Sequence, residues 1–200
     1  MDNKLPHYTR EKLLGEGGMG RVYLAQDNQL QRQVAIKELN YLEKSLSIKI
    51  GQDENVNHAL KEARLLARVN HSNIIQIYNI HDENTHISLV MEYFKSKTLT
   101  QFQHESYPTL IQKVDLLRQL SSGLAQAHKS GVIHCDLKPS NILVNEQGQL
   151  KITDFGIACL MPSETNIDPL KSIQPAEYGC LFYMSPEQIQ QQSVDYRSDI

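Results

Sequence analysis

The sequence predicts an α+β fold in two parts, a strand-rich first part with one helix and a helical second part with a few short strands. Three observations carry this. Up to about residue 94, short runs rich in β-branched and aromatic residues alternate with polar or glycine-containing turns. Beyond it, Leu110, Val114, Leu117, Ser121 and Leu124 recur every three or four residues, the period of a helix. The changeover falls near Lys95 to Thr98, in a chain of 200 residues, enough for one large domain or two small lobes.

Taken in order, TREKLLGEGG, GRVYLAQD and QVAIKEL (residues 9–18, 20–27 and 33–39) read as strands. Residues 57–69 read as a helix, with Ala59, Leu60, Ala63, Leu66 and Ala67 on one face and Asn57 as a cap. IIQIYNIH and HISLVMEY form an antiparallel pair around the turn DENT. The long helix of the second part should end near Gly131, and VIHC, ILVN and LKITDF read as short strands, with EQGQ as a turn.

Composition excludes several classes. At 40% hydrophobic and 22% charged, the chain should bury an ordinary core, and a net charge of -3 carries no nucleic-acid signature. No stretch approaches the ~20 apolar residues needed to span a bilayer. Cys135, Cys159 and Cys180 form no CxxC pair, which fits a reducing, cytoplasmic setting.

GEGGMG sets Gly15, Gly17 and Gly20 in a GxGxxG pattern, a weak signal alone. A dinucleotide fold needs a helix directly after these glycines, but here a strand follows, RVYLAQ, and then another. The glycines therefore fall at a hairpin tip, where backbone N–H groups can approach phosphate oxygens. Lys37, in VAIK, is a candidate cation for the same phosphates. Glu62, on the apolar side of the 57–69 helix, is its natural partner, because an unpaired carboxylate there is costly. The competing arrangement pairs Glu62 with Lys61 or Arg68 on its own helix.

HCDLKPSN, residues 134–141, places Asp136 and Asn141 five apart, and Pro139 prevents a regular helix between them. Asp154 follows at the end of a strand, in ITDFG. Asn141 and Asp154 are oxygen donors suited to a hard cation such as magnesium. Asp136 can accept a hydroxyl proton, and Lys138 adds positive charge beside the transferring group. Together with the glycine hairpin, these residues make a phosphoryl-transfer constellation.

GEGGMGRV, VAIK, HCDLKPSN, DFG and SPE (residues 185–187) occur in that order, and in this the chain resembles eukaryotic-type serine/threonine protein kinases of the kind found in bacteria. LKPSN resembles the Ser/Thr branch. The resemblance implies a bilobal kinase-like fold over residues 8–200, with a complete antiparallel-sheet N-lobe (8–94) bearing one helix and a partial helical C-lobe (95–200). It implies transfer of the ATP γ-phosphoryl to Ser/Thr hydroxyls of a protein substrate, with ATP and Mg2+ bound.

The implied catalytic residues are Asp136, the base, and Lys138; the implied metal ligands are Asn141 and Asp154. The implied ATP-binding set is Leu14, Gly15, Glu16, Gly17, Gly18, Met19, Gly20, Val22, Ala35, Lys37, Glu62, Met91, Glu92, Phe94 and Leu143. Within it Val22, Ala35 and Leu143 sandwich the adenine, Met91 is the gatekeeper, and backbone groups of Glu92 and Phe94 bond the adenine edge. Leu66, Ile77, His134 and Phe155 would stack as a hydrophobic spine. The long stretch from Asp154 to Glu187 favours a protein substrate over a small molecule, as in aminoglycoside or choline kinases.

Two positions and the C-terminal end depart from the family pattern. Cys135 stands where arginine is usual, so loop phosphorylation should not be read through this side chain, and the loop hydroxyls Ser163, Thr165, Ser172 and Tyr178 should not control activity that way. Cys180 replaces a threonine that bonds the catalytic pair. The sequence stops just after Asp199, whose family counterpart bonds the catalytic-loop backbone, where further helices normally follow. The expectation is a C-terminally truncated kinase domain with Glu187 unpaired and the apolar face of the 110–130 helix exposed. The alternative function is an inactive or pseudokinase-like fragment that binds nucleotide or a partner.

Overall fold

In this computed structural model the residues described are 5, 7–17, 20–40, 64, 66–83, 86–155, 182–190 and 192–200. The chain divides into two compact units, Met1–Glu54 with Ile75–Phe94, and Asn55–Ile74 with Lys95–Ile200.

The first unit is a five-stranded antiparallel sheet in the order β1-β2-β3-β5-β4, built from β1 (Tyr8–Gly17), β2 (Gly20–Asp27), β3 (Arg32–Asn40), β4 (Ile77–Glu83) and β5 (His86–Glu92). Cross-strand pairing sorts its residues into two faces. Ala25 pairs with Val34 and Ile36 with Val90, and these four pack with Leu5 and Tyr8 into one core cluster. On the other face Val22 pairs with Lys37, Leu24 with Ala35, and Ala35 with Met91. Both faces of β3 are buried, which is why VAIKEL lacks the apolar–polar alternation of a half-exposed strand. At the β2–β3 turn the buried Asp27 accepts the backbone N–H groups of Gln29 and Leu30, each at 3.0 Å. This Asx-type turn needs no glycine.

The second unit holds β6 (Lys97–Thr98), α1 (Leu99–Ser106), α2 (Leu110–Lys129), β7 (Ile142–Val144), β8 (Leu150–Ile152) and the short α3 (Pro186–Ile189). Strands β6, β7 and β8 form a second antiparallel sheet in that order. These three helices each start on a capping box of one type: Thr98 with Gln101, Thr109 with Gln112, Ser185 with Gln188. Helix α2 buries Leu116, Gly123, Leu124 and Ala127, and Gly131 follows it at φ 77°, a position that favours glycine. A Cβ at Gly123 would lie 2.8 Å from the Ile152 Cδ1 and 3.1 Å from the Asn73 carbonyl oxygen, so a larger residue there would require both neighbours to shift. Asn73 fastens the preceding segment to both: its carbonyl accepts the Ile152 N–H (2.8 Å), and its amide donates to Gln119 Oε1 (3.0 Å) and the Leu150 carbonyl (2.8 Å).

Two readings of the sequence change, and a third lies mostly outside the described residues. Helix α1 has no counterpart among the predicted elements: it buries no residue, so it leaves no periodic apolar signal, and its cap Thr98 is its main mark. VIHC is not a strand; Val132 and His134 are buried, but the backbone turns at Cys135 with φ 62°. Of the 57–69 helix, residues 64, 66 and 67 are helical and the remainder lies largely outside the described residues. The α2 face of Leu110, Ile111, Val114 and Leu117 is exposed, as expected. No described helix is long and apolar enough to cross a membrane.

Candidate active site

The loop from His134 to Asn141 brings three of the predicted residues into mutual contact. Lys138 Nζ donates to both oxygens of Asp136, at 3.0 and 2.8 Å. Asn141 Nδ2 donates to Asp136 Oδ2 and to the Asp136 carbonyl, both at 2.9 Å. Pro139 opens a one-turn 3-10 helix, Pro139–Asn141, which carries Asn141 back over Asp136. With its N–H groups committed to Asp136, the Asn141 amide keeps Oδ1 as the atom it can offer a cation. Asp154 sits two residues beyond β8 at φ 58°, and the Thr153 N–H donates to the Asn141 carbonyl (3.0 Å), tying the strand end that carries Asp154 to Asn141. Two oxygen donors, a carboxylate and an amide, suit a hard divalent cation.

The loop hangs from groups distant in sequence. Asp199, fully buried at its carboxylate, accepts the N–H of His134 (2.7 Å) and of Cys135 (2.8 Å), and its Oδ2 also meets His128 Nε2 at 2.8 Å. The expected bond from Asp199 to the loop backbone is present. His134 Nδ1 accepts the Asp136 N–H (3.2 Å), so its proton sits on Nε2, which donates to the Thr153 carbonyl (3.0 Å). Burial pushes the His134 pKa down, in keeping with that neutral tautomer. Its ring lies 4.6 Å from that of Phe155, which is also buried. Glu187 accepts a hydrogen bond from Ser198 Oγ, a neutral donor in place of the arginine usual in the family, and that bond holds its carboxyl below the usual range.

In the first unit the glycines do lie at a hairpin tip, with Gly17 paired to Gly20. Gly20, at φ 128°, passes so close to β3 that a Cβ would fall 1.8 Å from the Glu38 carbonyl oxygen; around Gly15 and Gly17 the same test meets nothing within 4 Å. Glu16 is exposed and pairs with Arg21 at 2.8 Å, and Leu14 is exposed. Val22, Ala35, Lys37 and Met91 share one face of the sheet, with the last three buried. Glu92 and Phe94 are half-buried, and the Glu92 N–H donates to the Gln76 carbonyl (2.8 Å). Leu143 is half-buried in β7 of the second unit. Gly18, Met19 and Glu62, and with them the Lys37–Glu62 pairing, lie outside the described residues, as do Cys180 and the loop hydroxyls.

A family profile described as the protein kinase domain matches residues 8–200. The chain belongs to the protein kinase family. Among its relatives, the serine/threonine-protein kinase PrkC of Bacillus subtilis is 34% identical over 194 residues, 96% of this chain and 28% of that protein. PknB of Mycobacterium leprae, also a serine/threonine-protein kinase, is 32% identical over 199 residues, 96% of this chain and 30% of that protein. This kinase domain thus spans less than a third of the length of either relative. The crystal structure of the Mycobacterium tuberculosis PknI kinase domain superposes with a TM-score of 0.72 at 23% identity, over 97% of this chain and 69% of that one, and shows the kinase fold.

Sequence reasoning missed two supports of the kinase loop. His128 carries no motif signal. Gln188 could be read only as the third residue of a capping box, yet its Nε2 also donates to the Cys135 carbonyl at 2.6 Å.

Proposed function

We propose that this chain is the catalytic region of a serine/threonine protein kinase, transferring the γ-phosphoryl group of ATP to hydroxyl groups of proteins. The observation that carries the proposal is the Asp136 carboxylate, gripped by Lys138 and Asn141 within one loop. The substrate oxygen attacks the γ-phosphorus, its proton passes to Asp136, and the bond to the bridging oxygen breaks to release ADP. Lys138 holds the base in place and offers its ammonium to the γ-phosphoryl oxygens. Lys37 is the cation for the α- and β-phosphates, with Glu62 as the partner that orients it.

Leu14 to Gly20, Val22, Ala35, Met91, Glu92, Phe94 and Leu143 complete the proposed nucleotide-binding set. Asn141 and Asp154 would hold Mg2+, which when bound supplies neutralisation of phosphate charge. The names of the serine/threonine kinase relatives support the hydroxyl class, and three cysteines whose spacing forms no disulfide framework fit a reducing, cytoplasmic setting. Turnover is measured with Mg-ATP and a generic Ser/Thr protein. Asp136→Ala should lower it by at least about a hundredfold while ATP still binds, and Asp154→Ala should remove magnesium-dependent ATP binding. ATP binding by the wild-type chain without turnover would instead make it a nucleotide-binding module.

A further inference from the structure

We propose that Gln188 is a positioning residue that sets the direction of Asp136 by holding the peptide plane before it, an inference that rests on the kinase reading. Cys135 adopts φ 62°, a conformation costly to any residue with a Cβ, so the surrounding bonds must impose it. They do so from both sides. The Cys135 N–H donates to Asp199 Oδ1 (2.8 Å), and the Cys135 carbonyl accepts from Gln188 Nε2 (2.6 Å). That carbonyl belongs to the same peptide unit as the Asp136 N–H, which donates to His134 Nδ1 (3.2 Å). The plane carrying Asp136 is therefore fixed at its oxygen by Gln188 and at its nitrogen by His134.

The other end of the Gln188 amide is also used: Oε1 accepts the Ser185 N–H at 2.9 Å. The two bonds demand the same amide orientation, since a flip would set N–H against N–H and carbonyl against carbonyl. Gln188 thus joins the 185–190 turn to the catalytic loop through a neutral amide. The link needs no phosphate and no arginine at position 135, so the thiol there breaks nothing.

Two variants separate this role from simple capping. Gln188→Glu keeps the oxygen that caps Ser185, in the residue type most suited to a capping box, and loses the donor to Cys135. Gln188→Lys does the reverse. Gln190→Glu, at an exposed neighbour, adds the same charge elsewhere. Backbone hydrogen exchange is read at Cys135 and Asp136, with Ile152, bonded to Asn73, as the marker of an intact fold. We expect Gln188→Glu to speed exchange at Cys135 and Asp136 about tenfold, with Gln188→Lys and Gln190→Glu near wild type. Wild-type protection in Gln188→Glu, or equal loss in the Glu and Lys variants, overturns the proposal.

In the turnover assay Gln188→Glu should lower kcat about tenfold and leave the KM for ATP unchanged. A wild-type chain that turns over no ATP would sink the kinase reading, while the exchange experiment would still decide whether Gln188 holds the loop.

Discussion

At the β1–β2 hairpin a Cβ added to Gly15 or Gly17 meets nothing within 4 Å, and the paired ends, Gly17 and Gly20, are three residues apart. In the loop from His134 to Asn141, the backbone N–H groups of His134, Cys135 and Asp136 and the carbonyls of Cys135 and Asp136 are all engaged. Two of those partners, Asp199 and Gln188, lie 53 to 65 positions away. The hairpin is a local structure that leaves room for a ligand and offers backbone. The loop is an over-determined structure that fixes side chains. A segment proposed to wrap a phosphate can be open, whereas a side chain proposed as a base must be aimed.

The sharpest way to break this contrast is to cut a distant anchor. Asp199→Ala would leave the buried N–H of His134 and the half-buried N–H of Cys135 without their acceptor, and should cost about 4 kcal/mol in urea unfolding. A cost under about 1 kcal/mol would mean the loop holds itself.

Next come the glycines. Gly20→Ala should cost about 3 kcal/mol, because β3 must yield to a Cβ 1.8 Å from a backbone oxygen at φ 128°. Gly15→Ala and Gly17→Ala should each cost less than about 1 kcal/mol in the same melts, since both sites are open. Equal losses at all three would mean the hairpin is as tightly specified as the loop.

A smaller effect follows from His134. Its folded pKa is lowered by burial, so below the ordinary value of 6.5 the unfolded chain binds a proton that the folded ring refuses. Stability should therefore fall as pH drops through 6.5, by at most about 1.4 kcal/mol per pH unit, and His134→Phe should flatten that slope. An unchanged slope in His134→Phe would assign the effect to another group. Smallest is Arg197→Ala: the guanidinium beside Asp195 holds that exposed carboxyl near 2, and its removal should return Asp195 toward 3.8 in an NMR titration with little change in stability at neutral pH.

Much of the site was legible because motif residues close in sequence meet in space. Asp136, Lys138 and Asn141 lie within six positions, and Pro139 in their midst forces the turn that brings them together. The hairpin was legible for the same reason. The Asp199 bond to the loop backbone was implied by the family resemblance, whereas nothing in the sequence marked the reach of Gln188 to the Cys135 carbonyl or the bond from Ser198 to Glu187. VIHC misled because a buried apolar run before a tight turn has the composition of a strand.

By itself, then, the sequence determined the strands of the first unit, the long helix, and the residues capable of phosphoryl chemistry, since hydrophobic period, glycine placement and side-chain type are local properties. Only the tertiary structure decided that Cys135 turns at positive φ and how Asp136 is aimed. Those depend on Asp199, Gln188 and His134 supplying hydrogen bonds at the right distance; Asp199 was implied only by the family resemblance, and Gln188, brought from 53 positions away, leaves no spacing to read.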